Sequence, residues 1–518
     1  MDNIYNQPLI KDIVQESETT PSPNITSGKS IAKNTVWNLV GHGVPIISAI
    51  FAIPLLINGL GVERFGVLTL AWMVIGYFSL FDFGIGRALT KIVAEKLGSG
   101  HTEDIHAIAW TGLLLMLLLG VVGAIVVALI SPWLVHSVLK IPLILQQETL
   151  NTFYLLALSI PVVISTAGLR GILEAYQRFG LVNIIRVPLG LFMFLGPLMV
   201  LPFSRSLFWV VAVLVAGRLV AWFVHLVFCL RVVPNLKGRM TVRGELLGQL
   251  VCFGGWMTVS NLIGPLMVYL DRFLIGAFVS MAAVAYYATP YEIVIKLLIL
   301  PAALVGVLFP AFATTLVQDR TRAANLFQRG TNYVFLALFP LTLIIVTFAP
   351  EGLELWLGAE FARESSAVLR WLAIGVLVNG LAQVPFALVQ GAGRPDITAK
   401  LHAAELPFYL AILWWLLTHF GIEGAAIAWL LRVSVDMVVL FFMAHRLMPC
   451  AGFLSRLSVY LGVALFALLL GVLLHGAMWK GVYILTAPAI FAITAWSVIL
   501  SPEERAFARS RVRAASNF

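Results

Sequence analysis

The sequence predicts an all-α membrane protein of about fourteen transmembrane helices, on three observations. Sixty per cent of its 518 residues are hydrophobic and 11% charged, with a mean hydropathy of +0.96, a balance that no water-soluble core sustains. Apolar runs such as LLLMLLLGVVGAIVVALI, WVVAVLVAGRLVAWFVHLVF and LGVALFALLLGVLL approach or reach the roughly 20 residues that cross a bilayer core of about 30 Å. Runs of that length read as helices, which satisfy their own backbone in lipid. Finally, Lys and Arg recur at the ends of alternate runs rather than in one patch, which is a topology signal.

Residues 1–33 are polar and lack a short apolar stretch followed by a cleavage site, so they read as a disordered cytoplasmic tail and not as a signal peptide. Spans then begin near Asn34, Gly66, His106, Asn151, Gly180, Ser206, Leu250, Val284, Thr331, Ala367, Lys400, Gly424, Tyr460 and Val482. The longest inward connection, RVVPNLKGRMTVRGELLGQ from Arg231 to Gln249, follows the sixth span. It divides the chain into a first six-helix lobe at 34–231, a cytoplasmic linker at 232–249 and a second six-helix lobe at 250–446. Two further helices fill 447–500, and a basic tail follows at 501–518. NLVG at Asn38–Gly41 returns as NLIG at Asn261–Gly264, the trace expected of duplicated halves.

Placing the amino terminus inside puts Lys91, Lys96, Arg170, Arg178, Arg239, Arg243, Arg320, Arg322, Arg394 and Arg446 on inward segments. Outward segments then hold Arg64, Lys140, Arg205, Arg363, Arg370 and Lys480. This asymmetry sets both termini in the cytoplasm. The same dispersion of charge argues against nucleic acid as a partner. Cys229, Cys252 and Cys450 lie far apart, with no Cys-x-x-Cys pair or metal-spaced histidines, so neither a disulfide nor a metal site is expected. No cofactor is implied.

The stretch from Asn34 to Leu97, with GVERFGVLTLA from Gly61 and FDFGIGRALTK from Phe81, resembles the opening of the polysaccharide flippases of the multidrug/oligosaccharidyl-lipid/polysaccharide exporter superfamily. DRFLIGAFVS from Asp271, AYYATPYEIVIK from Ala285, WLGAEF from Trp356 and LVQGAGRPDITAK from Leu388 agree with it. The resemblance implies two six-helix lobes facing one another as a V, with the last two spans beside the second lobe. It also implies a bacterial inner-membrane protein working by alternating access, with an undecaprenyl-pyrophosphate-linked oligosaccharide as cargo. The partners it suggests are membrane lipids, a proton or sodium counter-ion, and a polysaccharide polymerase with its chain-length machinery.

Charges inside spans are costly and mark function by default. The cations are Arg186, Arg218, Arg272, Lys296 and Arg432; the acids are Asp271, Glu292, Glu405 and Asp436. Every such acid lies in the second lobe, leaving the first cationic inside. Arg218 stands about 18 Å into its span at 1.5 Å per residue, near the midplane, and is the leading pyrophosphate contact. Arg186, about 9 Å from the inner end by the same rise, is the second, against pairing with another helix or snorkelling to the interface. Glu292 and Lys296 are spaced to neutralise one another, as are Arg432 and Asp436 in reverse, although Lys296 can also join an anion site. Asp271 and Arg272 fall near the outer end of span seven, where solvation competes with a role for Arg272 at the anion. Asp271, Glu292 and Asp436 are the candidates for ion coupling. Tyr287 and Tyr291 share a face suited to sugar rings or to an interfacial belt. Prolines at 45, 54, 188, 197, 265, 301 and 310 favour bends.

A polymerase or glycosyltransferase needs catalytic groups in a sizeable outward loop. The outward segments around Pro132–Leu150 and Ala349–Ser366 are short and hold no Asp-x-Asp or paired histidines, so an enzyme is not expected. Glu351, Glu354, Glu360 and Glu364 read as a solvated rim. A multidrug exporter of the same superfamily should have an acidic first lobe, against Arg186 and Arg218. A flippase for the cell-wall precursor shares the cationic logic.

Overall fold

The computed structural model describes residues 47–78, 84–98, 103–233 except 177, 269–448, and 453–494 except 475, with isolated positions between and beyond. The tail at 1–33, the NLVG and NLIG motifs, most of the linker, the first half of span seven and nearly all of 501–518 lie outside the described residues.

Among the described residues the apolar runs fold as helices. The first lobe comprises α1 (Ile47–Leu60), α2 (Val62–Phe78), α3 (Ile85–Gly98), α4 (Ile105–Trp133), α5 (Leu143–Ala175), α6 (Phe179–Val200) and α7 (Leu207–Val232). The second holds a helix at 269–278 (α8), α9 (Met281–Val294), α10 (Ile299–Gln318), α11 (Arg320–Thr347), the short α12 (Ala349–Leu357), α13 (Ala359–Gly391) and α14 (Pro395–Leu447). The chain then runs into α15 (Phe453–Leu473) and α16 (Ala477–Thr494). Among the described residues, eight helices are long and apolar enough to cross a membrane. α2 and α3 stand as separate helices, with Gly84 at φ 68° ahead of α3, and in span eight residues 295–298 tighten to a 3-10 turn after Pro290. Gly421, at φ 58° and ψ −143°, divides α14 into two arms and so accounts for spans eleven and twelve; only glycine takes that backbone cheaply.

Each lobe is built around one long helix. In the first, α5 packs against α2, α3, α4 and α7; in the second, α13 packs against α9, α10, α11, α12 and α14. The last two helices dock on α11, where Phe491 meets Phe335 and Phe339 at 5.8 and 4.8 Å. Lys480 Nζ reaches Glu351 of α12 at 2.7 Å, so the acidic rim is partly neutralised rather than wholly solvated.

The lobes meet along α2 and α9. Ile53, Phe65, Leu68, Met281 and Val284 belong to one buried apolar cluster that crosses between them, whereas Leu89, Ile108, Leu169 and Cys229 form a cluster confined to the first lobe. The seam lies at the amino-terminal ends of both helices. Gly66 is required there: a Cβ at this position would stand 2.8 Å from the carbonyl carbon of Met281, closer than packed atoms approach. Bonds on the same side reinforce it, from Lys140 N to Gly276 O at 2.9 Å and from Trp356 Nε1 to Ile50 O at 2.6 Å. Glu148 of α5 ties α2 to α7, accepting from Arg64 Nε at 3.1 Å and from the Leu207 amide.

Candidate substrate and coupling site

Arg218 projects from α7, a helix with no acidic residue. It lines a small cavity with Trp72 of α2, Leu189, Phe192 and Met193 of α6, and Leu214. Among the described residues no acid pairs with it, and its surroundings are aromatic and aliphatic. A guanidinium so placed offers several donors in a fixed fork to whatever anion reaches it. Arg186, on α6, is exposed. Both are first-lobe cations, as expected, but the structure brings only Arg218 against α2, the helix that forms the seam.

The second lobe treats its charges differently. Arg272 is 2% exposed and donates from Nη2 to Glu292 Oε1 at 2.9 Å. Its guanidinium lies 4.8 Å from the centre of the Tyr291 ring and 5.7 Å from that of Tyr269. Asp271 is wholly buried, accepting from Tyr287 Oη and from the Arg272 amide, each at 2.7 Å. Solvation of Asp271 and Arg272 at the end of span seven is therefore corrected: α9 and its tyrosines cover both. Glu292 also approaches Lys296 at 3.7 Å, the expected helical pair, but its nearer partner is Arg272. Lys296, 45% exposed at its side chain, is the cation of this network that remains accessible.

Tyr287 and Tyr291 stack at 6.1 Å between ring centres and are buried, with Trp429 edge-on to Tyr291 at 5.8 Å. They face inward onto Asp271 and Arg272, which places them neither in an exposed interfacial belt nor on an open surface. The expected pairing of Arg432 with Asp436 is also corrected. Arg432 turns instead to the Tyr409 ring at 5.8 Å and to Met267 Sδ at 3.9 Å, and Asp436 lies 3.6 Å from His402 Nε2. The two arms of α14 thus join His402, Glu405 and Asp436. The sequence singles out Asp436 and Glu405 as acids inside spans but not His402, because the hairpin at Gly421 that brings them together has no signal in spacing. Ionisable residues in two consecutive apolar spans were the available clue.

A two-lobed, multi-pass helical bundle with buried charges in its spans is the architecture of a membrane transporter, and comparison with known proteins agrees. The chain matches the family of polysaccharide biosynthesis proteins over residues 31–316. It is 32% identical to a "Putative O-antigen transporter" of Shigella flexneri over 423 residues, covering 81% of this chain and 98% of that one. Among solved structures, its fold is similar to the lipid II flippase MurJ in an inward closed conformation, with TM-score 0.66, 12% identity, and coverage of 89% of this chain and 97% of that chain. It is likewise similar to an inward-facing multidrug resistance MATE family transporter of the MOP superfamily, with TM-score 0.66, 16% identity, and coverage of 79% and 94%. The chain belongs to the polysaccharide biosynthesis protein family, and it is a transporter of that family rather than an enzyme.

Proposed function

We propose that this transporter flips an undecaprenyl-pyrophosphate-linked oligosaccharide from the cytoplasmic to the periplasmic leaflet of the bacterial inner membrane, for the synthesis of a surface polysaccharide. The observation that carries the reading is Arg218: a cation near the middle of the apolar helix α7, with no acidic partner among the described residues. A diphosphate leaving water needs its charge met by donors, and a bare guanidinium beside the seam helix supplies them. Arg186 is the first cation met from the cytoplasm, and Lys296 adds a third from the second lobe. Arg272 braces that lobe from within, while Tyr287 and Tyr291 reach a sugar only when the network around Asp271 opens.

With both termini in the cytoplasm, the α2 and α9 seam lies on the periplasmic side, so the lobes are closed outward. Alternating access then consists of opening that seam and closing the opposite side. The test is Arg218→Gln. At normal membrane abundance, polysaccharide export should fall sharply and lipid-linked oligosaccharide accumulate on the cytoplasmic leaflet, with Arg218→Lys retaining part of the activity. Export by the Gln variant at the parental rate would overturn the reading.

A further inference from the structure

The cavity at Arg218 measures about 20 Å³. A single water needs roughly 10–15 Å³ by the same measure, so in this conformation the guanidinium has room beside it for an oxygen atom and not for a diphosphate. An anion of that size reaches Arg218 only if a wall moves. The walls differ in how firmly they are held. Trp72 and Leu214 are buried, and Trp72 stands edge-on to both Phe65 and Phe194, with ring centres at 5.8 and 5.3 Å. The other walls, Leu189, Phe192 and Met193, come from one stretch of α6, bracketed by Pro188 and Pro197. Each proline deprives the helix of a backbone hydrogen bond, which makes α6 the pliable side of the cavity.

Phe192 is the bulkiest of those three, and its ring rests on glycine. A Cβ at Gly217, the residue before Arg218 on α7, would stand 2.6 Å from ring atoms Cδ1 and Cε1. A Cβ at Gly196, one turn further along α6, would stand 3.1 Å from Cε1. Packed atoms do not approach so closely, so the ring occupies a shelf that two glycines leave free, next to the backbone that carries the guanidinium. A hydrocarbon ring is held on such a shelf by burial alone, with no directed bond to break when it leaves. It can therefore swing on its own rotamer, whereas Trp72 is fixed by its aromatic neighbours and Leu214 by the packing of α7.

We propose that Phe192 is a plug over Arg218: the anion site is complete only in a conformer in which this ring has left Gly217, and the plug sets which anions hold it open. Every anion meets the same cost of displacing the ring, but a diphosphate returns more charge-assisted hydrogen bonds to the guanidinium than a small monovalent ion does. The plug thus favours a diphosphate headgroup over the inorganic anions around it. The identity of the anion rests on the flippase reading; the plug itself does not. Removing the ring should tighten anion binding, because a ligand that selects a minor conformer loses affinity in proportion to how little of it is populated. A purely structural role for Phe192 gives the opposite sign.

The test uses the full-length protein in lipid nanodiscs and two readouts. In a background lacking the native cysteines, Arg218→Cys is exposed to a small water-soluble methanethiosulfonate; adding Phe192→Ala, or Gly217→Ala to push the ring off its shelf, should speed labelling roughly tenfold. In a chain retaining only the buried Cys229, the same two substitutions should leave that thiol unlabelled, and its labelling would mean a loosened lobe and overturn the plug. With Arg218 intact, calorimetry should show inorganic pyrophosphate binding roughly tenfold more tightly to Phe192→Ala than to the parent, a gain that Arg218→Gln removes. If Gly217→Ala does not fold, Phe192→Ala decides alone. Unchanged labelling and unchanged affinity in Phe192→Ala overturn the plug, and pyrophosphate binding that still depends on Arg218 then leaves the flippase reading standing. Faster labelling without pyrophosphate binding in any variant supports the plug and sinks the diphosphate reading.

Discussion

Gly66→Ala should open the closed side of this transporter. The added methyl would stand 2.8 Å from the Met281 carbonyl carbon and nearer still to its oxygen, and the obstacle is backbone, which cannot turn aside as a side chain can. Overpacking costs about 1–3 kcal/mol, and a backbone clash belongs at the top of that range. Only the conformation in which α2 packs on α9 bears the cost. At 1.4 kcal/mol per factor of ten, about 3 kcal/mol shifts the balance between closed and open seam by roughly 100-fold. A cysteine probe introduced by Ala283→Cys, at a position only 6% exposed in the first turn of α9, reads that shift in a background lacking the native cysteines. A membrane-impermeant maleimide added from the periplasmic side should label the probe up to about 100-fold faster when Gly66→Ala is also present. Gly306→Ala, where a Cβ meets nothing within 4 Å, is the control and should leave the rate unchanged. Labelling at the parental rate in the Gly66→Ala protein, with α2 intact by circular dichroism, would refute both the seam and its sidedness.

Two further outcomes follow from the same geometry. Arg272→Gln leaves Asp271 buried and the part-buried Glu292 without their main cation, and breaking a buried pair costs about 3–5 kcal/mol; the thermal unfolding midpoint in detergent should fall below the parent's, and an unchanged midpoint would show the network to be dispensable. Leu139→Cys paired with Gly276→Cys, positions whose side chains would touch across the seam, should form a cross-link that stops export and is relieved by reductant, whereas undiminished export through the locked seam would rule out alternating access by this route.

Fold class was legible because lipid imposes one rule on every segment: backbone groups must be satisfied internally, so long apolar runs fold as helices. The docking of α15 and α16 on α11 followed only from family resemblance, since their sequences carry little beyond apolarity. The site was legible where a single residue carried the signal. Arg218 stood out by depth and by the absence of an acid in its helix, both of which are linear properties. Arg272 was misplaced because its burial comes from α9, and sequence distance does not report which helix covers which. For Arg432 and Asp436, the helical spacing that favours a pair was present, yet Tyr409 and His402 on the facing arm compete for each partner. Such competition is set by a left-handed glycine at position 421 that has no distinguishing neighbours.

The two lobes treat the cations within their helices differently. In the first lobe Arg218 faces an apolar wall with no acid of its own, so its attraction for an anion is not already spent. In the second, Arg272 is held by Glu292 and lies beside Asp271 and the tyrosines, leaving only Lys296 accessible. Under the proposed function an anion would be gripped mainly from the first lobe, which suits release: when the seam opens and water reaches Arg218, screening weakens that contact.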